Sequence, residues 1–112
     1  MNISHKYDNN ICIVEPAGSI WLSESDKFLE YVESLLASSE VQGMVIDMKR
    51  VDAIDSSGIG VILTIQKLLA GREKKCVLCH LSERVHEVFF FTKLLDQITI
   101  CGTVDEGVSG VT

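Results

Sequence analysis

At 112 residues the chain suits one compact core and is too short for two catalytic domains. Hydrophobic residues make up 46% and charged residues 23%, and proline occurs once, a balance that furnishes a packed interior and excludes a disordered chain. A net charge of −6 with a pI near 4.9 argues against attraction to phosphate backbones or anionic lipid, so nucleic acid is not an expected partner.

No apolar run approaches the roughly 18 residues that span a bilayer, and Met1–Asn10 lacks a basic stretch followed by an apolar one. The expectation is a cytoplasmic protein without membrane insertion. Cys12, Cys76, Cys79 and Cys101 lie in or beside apolar runs, as buried free thiols do, and disulfides are not expected.

In chain order, His5–Tyr7 and Ile11–Pro16 read as strands joined through Asp8, Asn9 and Asn10, which suit a hairpin turn. Phe28, Leu29, Val32, Leu35 and Leu36 then share one helical stripe, and Ser23 with Asp26 supplies an N-terminal cap. Gly43–Met48 reads as a strand covered on both faces. A loop over Lys49–Asp55 leads to a second helix beginning near Ser57, with Val61, Ile62, Ile65, Leu68 and Leu69 on its buried face and Gly71 as its left-handed end.

Cys76–Leu81 is a further apolar strand, Ser82 caps a third helix running to about Phe91, and Gln97–Cys101 is a short strand. Thr103 and Glu106 form a capping box for a last helix that Gly107 and Gly110 weaken. The alternation predicts an α/β or α+β single domain over residues 1–112, with α/β the expected class. Its mixed sheet has four to five strands, with an N-terminal antiparallel hairpin, helices packed on it, and parallel pairs wherever a helix intervenes.

The chemistry concentrates in Val51–Gly60, where Ser56, Ser57, Asp52 and Asp55 meet at the entrance to a helix. Unpaired N–H groups and the positive end of the helix dipole stabilise an anion there, so a serine in this position carries phosphate well. Ser56 suits capping, which leaves the Ser57 hydroxyl free, while Gly58 and Gly60 permit close approach. Read without a family, the same residues describe a capped helix with packing glycines.

Asp55-Ser56-Ser57-Gly58-Ile59-Gly60-Val61-Ile62-Leu63, following an apolar strand and an acidic loop, resembles the signature of the STAS domain family, specifically its anti-sigma factor antagonists. Length, segment order and the Leu81–Val85 entry to the third helix extend the likeness over nearly the whole chain. The resemblance implies a bacterial regulator that binds an anti-sigma factor of the GHKL serine kinase type. It further implies that Ser57 is phosphorylated by that partner and dephosphorylated by a PP2C-type phosphatase. Asp55, Ser56, Ser57, Gly58 and Ile59 would then form the partner-binding segment, and no cofactor is required.

The sequence departs from the family's pattern at two places. Trp21 stands where members commonly carry an acidic residue, which makes it a candidate interface anchor or else a tryptophan packed at the sheet edge, and Thr92-Lys93 replaces a Ser-Gly type of turn. The alternative within the family is an unphosphorylated adaptor or a regulatory subunit of a transporter or sensory complex. Outside it, Cys76 and Cys79 lie three apart on a strand and so face opposite ways, and His5, His80 and His86 share no ligand spacing. Asp47 ends a buried strand as in a receiver domain, but the acidic pair and the lysine of that class are missing. Nothing in the sequence assembles a base, a nucleophile and oxyanion donors into an enzyme's site.

Overall fold

Asn9 and Asn10 turn the chain tightly enough to lay β1 (Asn2–Asp8) antiparallel to β2 (Ile11–Ile20), with Asp8 opposite Ile11 and Asn2 opposite Ala17. Asn9 sits at φ 54°, a left-handed conformation that asparagine tolerates. The structure, a computed structural model, describes residues 1–112.

β2 is long enough to serve two parallel neighbours in succession. Ile11–Val14 pair with β3 (Gly43–Asp47), and Ala17–Ile20 pair with β4 (Arg50–Ile54). The expected loop over Lys49–Asp55 is therefore mostly strand. Arg50 and Asp52 are exposed while Val51 and Ala53 are buried, the alternation of a half-buried strand whose partner is remote in sequence. With β5 (Lys75–Cys79) and β6 (Ile100–Cys101), the order is β1-β2-β3-β5-β6, and β4 beside β2 makes a sixth strand, one more than the expected upper count. Gly18 reaches φ 106°, where a side chain would be strained, and the β2–β4 register shifts between Gly18 and Ile20. Beyond that irregularity Ile20 faces Ile54, so both strands leave the sheet at the same level.

Three helices cover one face: α1 (Leu22–Leu36), α2 (Ser56–Ala70) and α3 (Glu83–Phe91). Phe28 and Val32 of α1, Ile62 and Ile65 of α2, and Val85 and Phe89 of α3 pack on Val14, Met44, Ile46 and Leu78. Each such side chain stabilises the fold by about 1.5–3 kcal/mol when fully buried. The opposite face carries only α4 (Val104–Val111), whose Val111 packs with Ile11, Ile13, Val45, Val77 and Cys79. Strand alternation thus sends Cys76 to one layer and Cys79 to the other, as their spacing predicts. All four cysteines are free. No helix is long and apolar enough to cross a membrane.

The helix ends test the local readings. Ser82 accepts the Val85 N–H at 3.2 Å, and Thr103 accepts the Glu106 N–H at 3.1 Å, so both predicted caps form. Gly107 in α4 is a packing residue, since a Cβ there would lie 3.1 Å from methyls of both Val45 and Val77. Three expectations are corrected. Gly71 keeps a right-handed φ of −63°, and Glu73 supplies the left-handed turn at φ 58°. Ser23 lies inside α1 instead of capping it, because the helix already begins at Leu22. The predicted strand over Gln97–Cys101 is shortened to β6 by a 3-10 turn at Leu95–Gln97. Lys93, in the turn that follows α3, takes φ 60°.

Candidate functional site

Because β2 and β4 end side by side, the chain enters α1 and α2 from adjacent points, and the Asp55 N–H donates to the Ile20 carbonyl at 3.3 Å. Asp55 is the N-cap of α2: its Oδ1 accepts the Gly58 N–H at 3.0 Å. Its Oδ2 accepts the Leu22 N–H at 2.9 Å, the first N–H of α1. One carboxylate therefore caps two helices and lies at the positive end of both dipoles. Trp21 precedes α1 and its indole has no acceptor to offer, so the cap has to come from elsewhere in the fold.

This arrangement corrects the expected role of Ser56. Asp55 performs the capping, and the hydrogen bonds at this corner run to Asp55, Ile20 and Trp21 without drawing on either hydroxyl of the serine pair. Ser56 is exposed and Ser57 is half-buried on the first turn of α2. The cap was readable in principle, since aspartate ranks with serine as an N-cap and stands three residues before Gly58. Its second bond, to a residue 33 positions away, was not.

Gly58 and Ile59, expected in the partner-binding segment, face inward. Ile59 is 5% exposed, and a Cβ at Gly58 would lie 2.6 Å from both the Ile20 carbonyl oxygen and Ile54 Cγ1. Gly58 thus lets α2 start hard against the sheet. Gly60 differs, with nothing within 4 Å of a Cβ, so it leaves a bare stretch of helix one turn beyond Ser57. Beside the serines, Trp21 is 45% exposed and Leu22 72% exposed. Asp52 lies on the face of β4 opposite Val51, so Asp55 alone supplies the carboxylate at the helix start. Lys49 and Arg50 do not neutralise either aspartate, since they pair with Asp47 at 3.4 Å and Glu15 at 3.0 Å.

A second polar cluster marks the fork where β3 passes into β4 and β5 turns toward α3. The buried Asp47 accepts from the Lys49 N–H at 3.1 Å and contacts His80 Nδ1 at 3.0 Å, while His80 itself takes a left-handed φ of 55°. Burial alone would raise the Asp47 carboxyl, but the His80 and Lys49 hydrogen bonds and the Lys49 charge together hold it below its ordinary value. Asp47, Cys79 and His80 offer donor atoms within 4.8 Å of one another. Each is already engaged, the Cys79 thiol with the Ile46 carbonyl at 3.8 Å, and burial pushes that thiol up to about 12, which disfavours the thiolate a metal needs. This cluster is a structural tie between the ends of β3 and β5.

Family comparison agrees with the fold. The STAS domain model matches residues 2–107, and the chain belongs to the STAS domain family. A protein of Bordetella bronchiseptica, BtrV, assigned as an anti-sigma factor antagonist, is 38% identical over 63 residues, an alignment that spans 54% of each chain. A Thermotoga maritima crystal structure assigned to the same class superposes with a TM-score of 0.89 at 23% identity, covering 97% of this chain and 93% of that one. The anti-sigma factor antagonist SpoIIAA, solved in an unphosphorylated form and, from Bacillus, in a phosphorylated one, superposes with TM-scores of 0.73 and 0.72 at 15% and 16% identity. Each SpoIIAA superposition covers 97% of this chain and at least 96% of the other. At these identities the structural likenesses establish the fold.

Proposed function

We propose that this chain is an anti-sigma factor antagonist that works as a phosphorylation-controlled binding module. With Ser57 neutral it captures an anti-sigma factor of the GHKL serine kinase type; phosphoserine at Ser57 releases that partner, and a PP2C-type phosphatase restores the binding form. The observation that carries this reading is the division of labour at the start of α2. Asp55 caps the helix, which leaves the Ser57 hydroxyl unengaged on the first turn of α2, next to the exposed Ser56 and one turn before the bare backbone at Gly60. The names of BtrV and SpoIIAA, and the existence of a phosphorylated SpoIIAA, support the assignment.

The switch follows from elementary electrostatics. Phosphorylation adds a charge of about −1.5 to −2 two residues from the Asp55 carboxylate. Within the chain the helix start stabilises that charge, so no refolding is needed. Against a partner surface the same charge must be desolvated beside a carboxylate, and a tenfold loss of affinity needs only about 1.4 kcal/mol. Calorimetric titration of candidate GHKL kinases with wild type, Ser57→Ala and Ser57→Asp tests the reading. Ser57→Ala should bind like wild type and Ser57→Asp at least about tenfold more weakly. Undiminished binding by Ser57→Asp would favour an adaptor in which Ser57 is an ordinary surface residue of α2.

A further inference from the structure

Leu22 and Trp21 are large exposed hydrophobics joined to the serine segment through Asp55, yet no side chain of their own segment caps the first N–H of α1. The N-cap Trp21 makes no side-chain cap bond, and its carbonyl serves the Glu24 and Ser25 N–H groups inside the helix. Beyond the backbone bond from Asp55 to Ile20, the side-chain tie to the rest of the site is the Asp55 carboxylate, which reaches the Leu22 N–H with Oδ2 while Oδ1 holds Gly58. A charge-assisted bond of this kind is short and directional, and it fixes distance as well as contact.

We propose that Asp55 is a positioning residue: a two-handed latch that holds the Trp21–Leu22 corner against the start of α2, so that both apolar side chains and the Ser57 hydroxyl meet the partner as one surface. This deepens the partner-switch reading and rests on it for the identity of the partner. The partner then offers an apolar recess to Trp21 and Leu22 beside the place where Ser57 lands, since both side chains project 45% and 72% of their surface outward. An amide cannot serve both hands, because one of its two atoms donates instead of accepting.

Trp21 is the chain's single tryptophan, so its fluorescence reads this corner without any partner present. Two variants open the latch from opposite ends. Asp55→Asn removes one acceptor, and Leu22→Pro removes the donor while leaving Asp55 and the α2 cap intact. Proline is tolerated at the first position of a helix, and Trp21 already has the extended backbone, φ −93° and ψ 171°, that a residue before proline prefers. Steady-state anisotropy and acrylamide quenching of Trp21 are measured for both variants, with Asp52→Asn as control and far-UV circular dichroism confirming the fold.

Both variants should show lower anisotropy and steeper quenching than wild type, with the control unchanged, and each should bind the kinase about tenfold more weakly. Wild-type anisotropy and quenching in a folded Leu22→Pro would overturn the latch, whatever the kinase does. Loosened tryptophan with undiminished kinase binding would overturn the joint surface. Failure of wild type itself to bind any kinase would count against the partner-switch reading, and the fluorescence would still decide the latch.

Discussion

Asp47 and Asp55 show how differently two carboxylates in one small domain are used. Asp55 is half-buried and organises two helix starts, whereas Asp47 is buried and satisfied by His80 and Lys49. Because the Asp47 carboxyl lies below its ordinary value in the fold, the unfolded chain binds the extra proton in acid. Its stabilisation is therefore complete above the unfolded value of about 3.9 and is lost as pH falls through the folded value. Asp47→Asn should cost about 2 kcal/mol at pH 7 in urea denaturation, and the gap to wild type should narrow below pH about 4. A gap that stays constant into acid would contradict the ion-pair origin. Among single residues the sequence displayed Ser57 and Asp55 plainly, but the bonds to Leu22 and to His80 join residues 33 apart, and local patterns carry no information about such pairs.

At the scale of elements, α1 and α2 were legible because each repeats its apolar residues at helical spacing over at least two turns, and α3 was announced by its Ser82 cap. β4 was not, since five residues with charges at Arg50 and Asp52 look like a loop until β2 is laid beside them. The two glycines at the start of α2 separate packing from exposure. Gly58→Ala would drive a Cβ into the Ile20 carbonyl and should destabilise by about 3 kcal/mol. Gly60→Ala enters open space in a helix interior and should stabilise by about 0.5–1 kcal/mol. Thermal denaturation of the pair checks both signs, and equal effects would mean that α2 does not start as tightly on the sheet as this geometry requires.

For the whole molecule, the sheet divides an interior of unequal halves, a large one under three helices and a small one under α4. The class of fold was readable from alternation alone, and the family from the Asp55–Leu63 segment; the assignment of layers needed the register of β2, β3 and β5. That layering makes a chemical prediction. Cys12, Cys76 and Cys79 are buried, with burial pushing their thiols up to about 11, 12 and 12, and only Cys101 is partly exposed. A thiol reagent should label one cysteine promptly in the native protein and all four after unfolding. Prompt native labelling of Cys76 or Cys79 would contradict the two-layer packing.

The Ser57 hydroxyl is free because Asp55 caps the helix, and it is placed because β2 and β4 end level. The most direct test of a switch there is intact-mass analysis and peptide mapping after incubation with ATP and the GHKL kinase encoded nearest the gene for this chain, with Ser57→Ala as the control. A single phosphate on Ser57, absent from Ser57→Ala, is the expected result. No phosphate with any candidate kinase, or phosphate on another residue that persists in Ser57→Ala, would contradict a switch at Ser57.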